Sequence, residues 1–460
     1  MTTQLSSCSS HGAVAVHRFT LPNGLRVWIE PRPQTESVTV LVVLRAGSRY
    51  ETLDSNGISH FVEHMVFDGT EKWPTEEEVM DVITHRGGEW NGWTSEETTT
   101  YFVQLAQRHV EVAFDWLSQV VFHPIFPPDK VDKERGIIFQ EKMGRYGWLI
   151  NTLDRLGLGY ELDRDVRRAV FPGSTLGLRI IGEDASLDRI TRPALLDYYR
   201  AHYTPANSVL IVVGKVSVEQ AYAQTQKYFG ALPGTTEIPT APSTPPLPDR
   251  GPHIVTVRGP LPTDQSALMV GMRTIGLAHA DRWALAVLAE VVQEELLKEI
   301  RFRRGLVYDL HAFTDYFADT GYFGLITEFD SHKRAEIQRV IEQYFEKIRR
   351  GEITAEQVNH AQAALKGQWA LAMEDSADRA AWLAQWAFET DGSTIPDHDA
   401  AIDSVLPADL QRIVETYFTP ERRYVGLHHP AVTVPRGARL LGLAAAVSML
   451  AWLARRLWRR

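Results

Sequence analysis

Seven prolines between Leu232 and His253, at positions 233, 239, 242, 245, 246, 248 and 252, form a stretch that can continue neither a helix nor a central strand. It divides a 460-residue chain into two parts of about domain size, and each part carries the same order of signals. In the first, Arg18–Leu21 and Leu25–Ile29 flank the turn Pro22-Asn23-Gly24 as a hairpin, followed by an apolar strand over Val38–Arg45. A short helix comes next, then one opened by the capping box Thr75-x-x-Glu78 and closed by Gly87-Gly88. Two strands fill Glu89–Leu105, and helical periodicity returns over 107–121 and 129–146. In the second part, strands near 253–257 and 266–272 precede a helix over 280–300. Strands near 306–312 and 321–328 follow, then helices from Ser331 onward. The pattern predicts an α+β protein of two similar domains, each an antiparallel-rich sheet covered by helices. The expected boundaries are 14–232, a Pro-rich linker over 233–252, 253–435, and a tail over 436–460.

Chemistry is concentrated in the short helix of the first part, Gly57-Ile58-Ser59-His60-Phe61-Val62-Glu63-His64. His60 and His64 are four apart and share one helix face, which is how a helix offers two imidazoles to one metal ion. Glu63 reaches the same side and can take a proton from an attacking water. A catalytic zinc site needs a third protein ligand and an open fourth position. Glu134 and Glu141, seven apart on one face of the 129–146 helix, are the carboxylates available to complete it.

These residues resemble the inverzincin peptidases, the group that includes pitrilysin, insulin-degrading enzyme and the mitochondrial processing peptidase. Its H-x-x-E-H motif is followed by a third ligand about 75 residues later; here His64 and Glu141 are 77 positions apart. The resemblance runs over roughly 14–430 and takes in Leu21-Pro22-Asn23-Gly24-Leu25, Arg45-Ala46-Gly47-Ser48-Arg49, Phe67-x-Gly69-Thr70, Gly87-Gly88-x-x-Asn91, Tyr203-x-Pro205-x-Asn207 and Val213-Gly214. It implies one zinc per chain on His60, His64 and Glu141, Glu63 as the base, and Glu134 as a supporting carboxylate. It also implies that Arg301 and Tyr308, from the second half, donate hydrogen bonds to the substrate carbonyl as it becomes an oxyanion. An extended peptide is expected to pair with the strand containing Trp90-Asn91-Gly92-Trp93, so that Asn91 and Gly92 contact substrate.

Two departures stand out. Gly92 replaces the alanine usual after that asparagine, and Val291-Val292-Gln293-Glu294-Glu295-Leu296 stands where many relatives carry a glycine-rich loop. In the second half Gly276-Leu277-Ala278-His279 precedes Trp283, so no second zinc site is expected. Relatives of this length hold half of a clam-shell chamber, which implies a homodimer or a heterodimer with a related chain. The expected function is a zinc metalloendopeptidase for short or unfolded peptides. The alternative is a non-catalytic peptide-binding or scaffolding subunit of such a dimer.

Charge bears on partners. The net −10 includes Arg436, Arg439, Arg455, Arg456, Arg459 and Arg460 in a tail without acids, so the remainder carries 42 − 58 = −16 and offers no broad basic face to nucleic acid. Leu440–Ala454 is uncharged between arginines, about 22 Å long as a helix, and reads as a membrane anchor, with the body expected on the cytoplasmic side. The four arginines beyond it pull toward the opposite orientation. Met1–His17 has no apolar signal segment, and Cys8, the one cysteine, excludes an internal disulfide.

Overall fold

A computed structural model describes residues 16–147, 161–235, 237–247, 251–259, 263–388 and 395–434, with a few isolated positions besides. The tail segment 440–454 read above as a membrane anchor lies outside the described residues. Among the described residues no helix is long and apolar enough to cross a membrane.

The first sheet has six strands: β1 (His17–Thr20), β2 (Arg26–Pro31), β3 (Ser37–Leu44), β4 (Glu89–Thr94), β5 (Thr99–Ala106) and β6 (Ser208–Gly214), in the spatial order β1-β2-β6-β3-β5-β4. The second has five: β7 (His253–Gly259), β8 (Gln265–Thr274), β9 (Val307–Tyr316), β10 (Gly321–Asp330) and β11 (Arg423–Pro430), ordered β7-β11-β8-β10-β9. Adding five to each label of β2-β6-β3-β5-β4 reproduces the second sheet strand for strand. The pairing repeats as well: β2 with β6 and β7 with β11 are parallel, and the other pairs are antiparallel. The α+β class and the internal repeat read from the sequence are therefore present in the topology.

The central strands β3 (SVTVLVVL) and β6 (SVLIVVG) are nearly continuous apolar runs, as required where both faces of a sheet are covered. One face of the first sheet packs on α1 (Ile58–Met65), α2 (Glu76–Thr84), α3 (Val110–Phe122) and their neighbours. The opposite face is covered from the other half of the chain. Trp28, Leu41, Val43, Val209, Ile211 and Val213 are buried against Ala380, Leu383, Ala384 and Trp386, which belong to the helix Ser376–Gln385 and its end. Reciprocally, the first-half helix Leu162–Val170 lays Val166 and Val170 against Met269, Tyr322 and Tyr424 of the second sheet. Each half thus lends one helix to the other's sheet. The expected bounds 14–232 and 253–435 carry no sign of this exchange, because an amphipathic pattern reveals that a face is buried but not what buries it.

The Pro-rich segment joins this seam. The Arg49 guanidinium, only 2 % exposed, donates to the Pro242 carbonyl and to Asp319, and pairs with Glu97. Arg273 donates to the Pro245 carbonyl. The capping box at Thr75 and Glu78 forms as expected. The helix expected over 280–300 spans Arg282–Leu296 and continues as a wider π-type turn over Leu297–Arg303. Val291–Leu296 is therefore helical.

Candidate metal centre

Helix α1 is short, and its placement is fixed at its first turn. Gly57, at φ 94°, caps it in the left-handed region, where a Cβ would meet the Gly182 Cα at 2.8 Å. The Glu51 carboxylate accepts hydrogen bonds from the Gly57 and Ser59 amides, the Ser59 hydroxyl and the Asn56 side chain, satisfying the free N–H groups of the helix start. Burial pushes the Glu51 pKa up to about 7, against the pull of these four donors. Ile58, Phe61, Val62 and Met65 face the core, which turns His60, Glu63 and His64 toward the second helix of the site, α4 (Val131–Tyr146).

There the carboxylates arrive at heptad spacing. Glu141 Oε2 lies 3.6 Å from His60 Nε2 and 3.7 Å from His64 Nε2, and the two imidazole centroids are 4.7 Å apart. Tetrahedral zinc with bonds of about 2.05 Å separates its ligand atoms by about 3.3 Å, so the two distances from Glu141 need to shorten by only a few tenths of an ångström. Glu134 Oε2 lies 3.4 Å from His64 Nδ1, the nitrogen facing away from Glu141. A carboxylate there holds the Nδ1–H tautomer and frees Nε2 as the donor, an arrangement common around zinc-binding histidines. Two imidazoles and one carboxylate converging within 4.8 Å, with a carboxylate behind one imidazole, fit a zinc ion by donor chemistry and by spacing. Burial disfavours the His64 imidazolium, but Glu134 and Glu141 outweigh it and raise the pKa to about 9, a measure of how strongly the pocket attracts positive charge. Asp68 and Glu76 add two carboxylates behind Glu134, with Lys130 and Lys133 among them.

Glu63 is 8 % exposed and accepts a hydrogen bond of 2.7 Å from the Thr94 hydroxyl, at the end of β4. Burial raises its pKa, the direction that makes a carboxylate a better proton acceptor near neutral pH. Thr94 and Glu51 were not singled out in the sequence. Thr94 is 31 residues from Glu63, and Glu51, although within eight residues of the groups it binds, belongs to no local spacing pattern.

β4 is the edge of the first sheet and pairs only with β5, in unbroken register from Glu89–Gln104 to Thr94–Thr99. Asn91 and Gly92 lie in this strand, and the Asn91 side chain accepts from the Gly92 amide at 2.9 Å. A Cβ on Gly92 would meet the Tyr101 ring at 3.0 Å and Phe67 at 3.2 Å, so close packing between strand and core accounts for glycine here. Arg301 and Tyr308 come together at the start of β9, the edge strand equivalent to β4, with the guanidinium 5.0 Å from the phenol ring. Tyr308 is 83 % exposed, and among the described residues neither side chain touches the His60–Glu141 cluster.

The family model for insulinase (peptidase family M16) matches residues 26–146, and that for the peptidase M16 inactive domain matches 189–365. An uncharacterized zinc protease of Mycobacterium leprae is 30% identical over 370 residues, 79% of this chain and 80% of the relative. The chain belongs to peptidase family M16. An uncharacterized zinc protease of Streptomyces coelicolor is 28% identical over 89% of each chain, and the mitochondrial-processing peptidase subunit beta of Saccharomyces cerevisiae is 28% identical over 77% of this M16 chain and 78% of its own. A protease from Helicobacter pylori shares the fold, with a TM-score of 0.81 at 21% identity over 93% of this chain and 100% of that one. The inactive-domain match falls largely on the half in which His279 stands before the helix and has no histidine partner four residues on.

Proposed function

We propose that this M16 chain is a zinc-dependent endopeptidase that hydrolyses short or unfolded peptides bound as an added strand on β4. The observation that carries the reading is the convergence of His60, His64 and Glu141 beside a Glu63 carboxylate that is buried and held by Thr94. Zinc on these three ligands would supply Lewis-acid polarisation and an activated water nucleophile. Glu63 removes the proton from that water and passes it to the leaving amine. Glu134 keeps His64 in the ligating tautomer. The free edge of β4 holds the peptide backbone through main-chain hydrogen bonds, which by themselves impose little sequence preference.

The reaction also needs donors for the developing oxyanion. Among the described residues neither Arg301 nor Tyr308 pairs with this chain's own cluster, and Tyr308 is exposed, so in this reading they act on the metal site of a second subunit in a dimer. Two inactive chains test this. Glu63→Gln lacks the base, and a double variant with Arg301→Ala and Tyr308→Phe lacks the oxyanion donors. Mixed after a denaturation–refolding cycle, they should recover up to about one quarter of the wild-type rate, because half the dimers are mixed and one site in each is complete. Recovery in a peptide cleavage assay supports the exchange of residues between subunits. Mixtures as inactive as the parents, with mixed dimers verified by mass, would refute it. A non-catalytic peptide-binding subunit, the competing reading, would give a wild-type chain that binds peptides and cleaves none.

A further inference from the structure

One row of cross-strand neighbours runs over the face of the first sheet opposite α1: Arg26 on β2, Val209 on β6, Val43 on β3, Thr100 on β5 and Trp93 on β4. Directly opposed residues point to the same face, so the row is a floor that ends at the free edge, where Trp93 is 36 % exposed. Above it lies a cavity of about 950 Å³, bounded by Val43, Arg45, Trp93, Thr100, Tyr316 and Phe388.

The charges in this cavity are unequally satisfied. Of the lining carboxylates, Glu97 and Asp319 pair with Arg49, and Glu96 and Asp315 pair with Arg167. Two guanidinium groups flank the single Phe388 ring of the lining, Arg45 of the lining at 4.7 Å and Arg26, from behind it, at 4.9 Å. They donate to the Phe388 and Ala387 carbonyls, and neither forms an ion pair among the described residues. Burial, then the neighbouring Arg45 charge, lowers the Arg26 pKa to about 10. The four carboxylates of the lining are each paired, and Arg45 is its one guanidinium without a carboxylate partner among the described residues, which leaves it to bind an added anion.

We propose that this cavity is a substrate subsite that binds a carboxylate of the peptide through Arg45, with Arg26 reinforcing the charge. The proposal rests on the β4-augmentation reading. A strand added at the edge sends alternate side chains over Trp93, and Trp93 is next in sequence to Thr94, which holds Glu63. The chain that enters the cavity therefore leaves β4 within a few residues of the bond to be cut. Arg45 lies two strands in from the edge, roughly 10 Å, so the carboxylate belongs to a segment that turns inward from β4. It is an acidic side chain of that segment or the peptide's own C-terminus.

Both sources are tested by binding, so hydrolysis does not decide the outcome. Fluorescein-labelled decapeptides with one Glu moved along a neutral sequence, matched Gln peptides, and C-terminal acid and amide pairs are titrated by anisotropy into the full-length, zinc-loaded Glu63→Gln chain. One Glu position, or the acid over the amide, should bind about tenfold tighter. Adding Arg45→Gln should remove that preference, and Arg45→Lys should keep most of it. Equal binding of Glu and Gln peptides at every position, together with equal binding of acid and amide, overturns the subsite even if Arg45→Gln does not fold. A preference that persists in a folded Arg45→Gln chain overturns it as well. If no peptide binds, the augmentation reading falls and takes the subsite with it.

Discussion

Replacing Glu63 by Gln is expected to lower kcat for peptide hydrolysis by about 10²–10⁴-fold while leaving the zinc content unchanged. The side chain is isosteric, and the amide oxygen can still accept from the Thr94 hydroxyl. The proposed ligands His60, His64 and Glu141 are untouched. What is lost is proton transfer at one carboxylate, because an amide cannot accept the proton of the attacking water. KM should change little, since the backbone pairing attributed to β4 does not involve Glu63. Steady-state kinetics with a quenched-fluorescent peptide mixture, beside metal analysis of the same samples, reads both quantities. A variant that retains more than about a tenth of wild-type kcat would exclude Glu63 as the base.

Separating the two halves is the second large effect. A fragment covering 14–232 would lose the helix Ser376–Gln385 and uncover Trp28, Leu41, Val43, Val209, Ile211 and Val213. At about 1.5–3 kcal/mol for each large apolar side chain, the exposed face corresponds to roughly 10 kcal/mol. Domains of this kind are stable by only about 5–15 kcal/mol in total. The fragment should aggregate or bind hydrophobic dyes, and fusing residues 376–388 behind a flexible linker should restore solubility. Size-exclusion chromatography and thermal melts of the two forms check this. A monodisperse, cooperatively melting 14–232 fragment would show that the exchanged helix is dispensable.

The same helix marks where the sequence stops being informative. H-x-x-E-H on α1 and the seven-residue interval from Glu134 to Glu141 are local spacings, and helix geometry converts each directly into a shared face. The metal cluster was legible for that reason. The repeat of strand order could be followed because each half carries its own strand and helix periodicities in the same sequence. The docking of Leu162–Val170 and Ser376–Gln385 on the sheet of the opposite half depends on contacts across about 100–350 residues of chain, for which periodicity carries no partner information. Glu51 and Thr94 escaped for a related reason. An acidic residue nine positions before His60, and a threonine at a strand end, become meaningful only once α1 and β4 are packed side by side. Arg45 belonged to a stretch recognised by resemblance, yet its place in the lining of a cavity required the register of β2, β6, β3, β5 and β4.

The central claim is that His60, His64 and Glu141 form one zinc site, and metal analysis of the purified chain beside His60→Ala tests it most directly. The account predicts one zinc per wild-type chain and almost none in His60→Ala, with thermal stability of the variant close to that of the metal-free wild type. A wild-type chain that takes up no zinc, or a His60→Ala chain that retains a full equivalent, would contradict it.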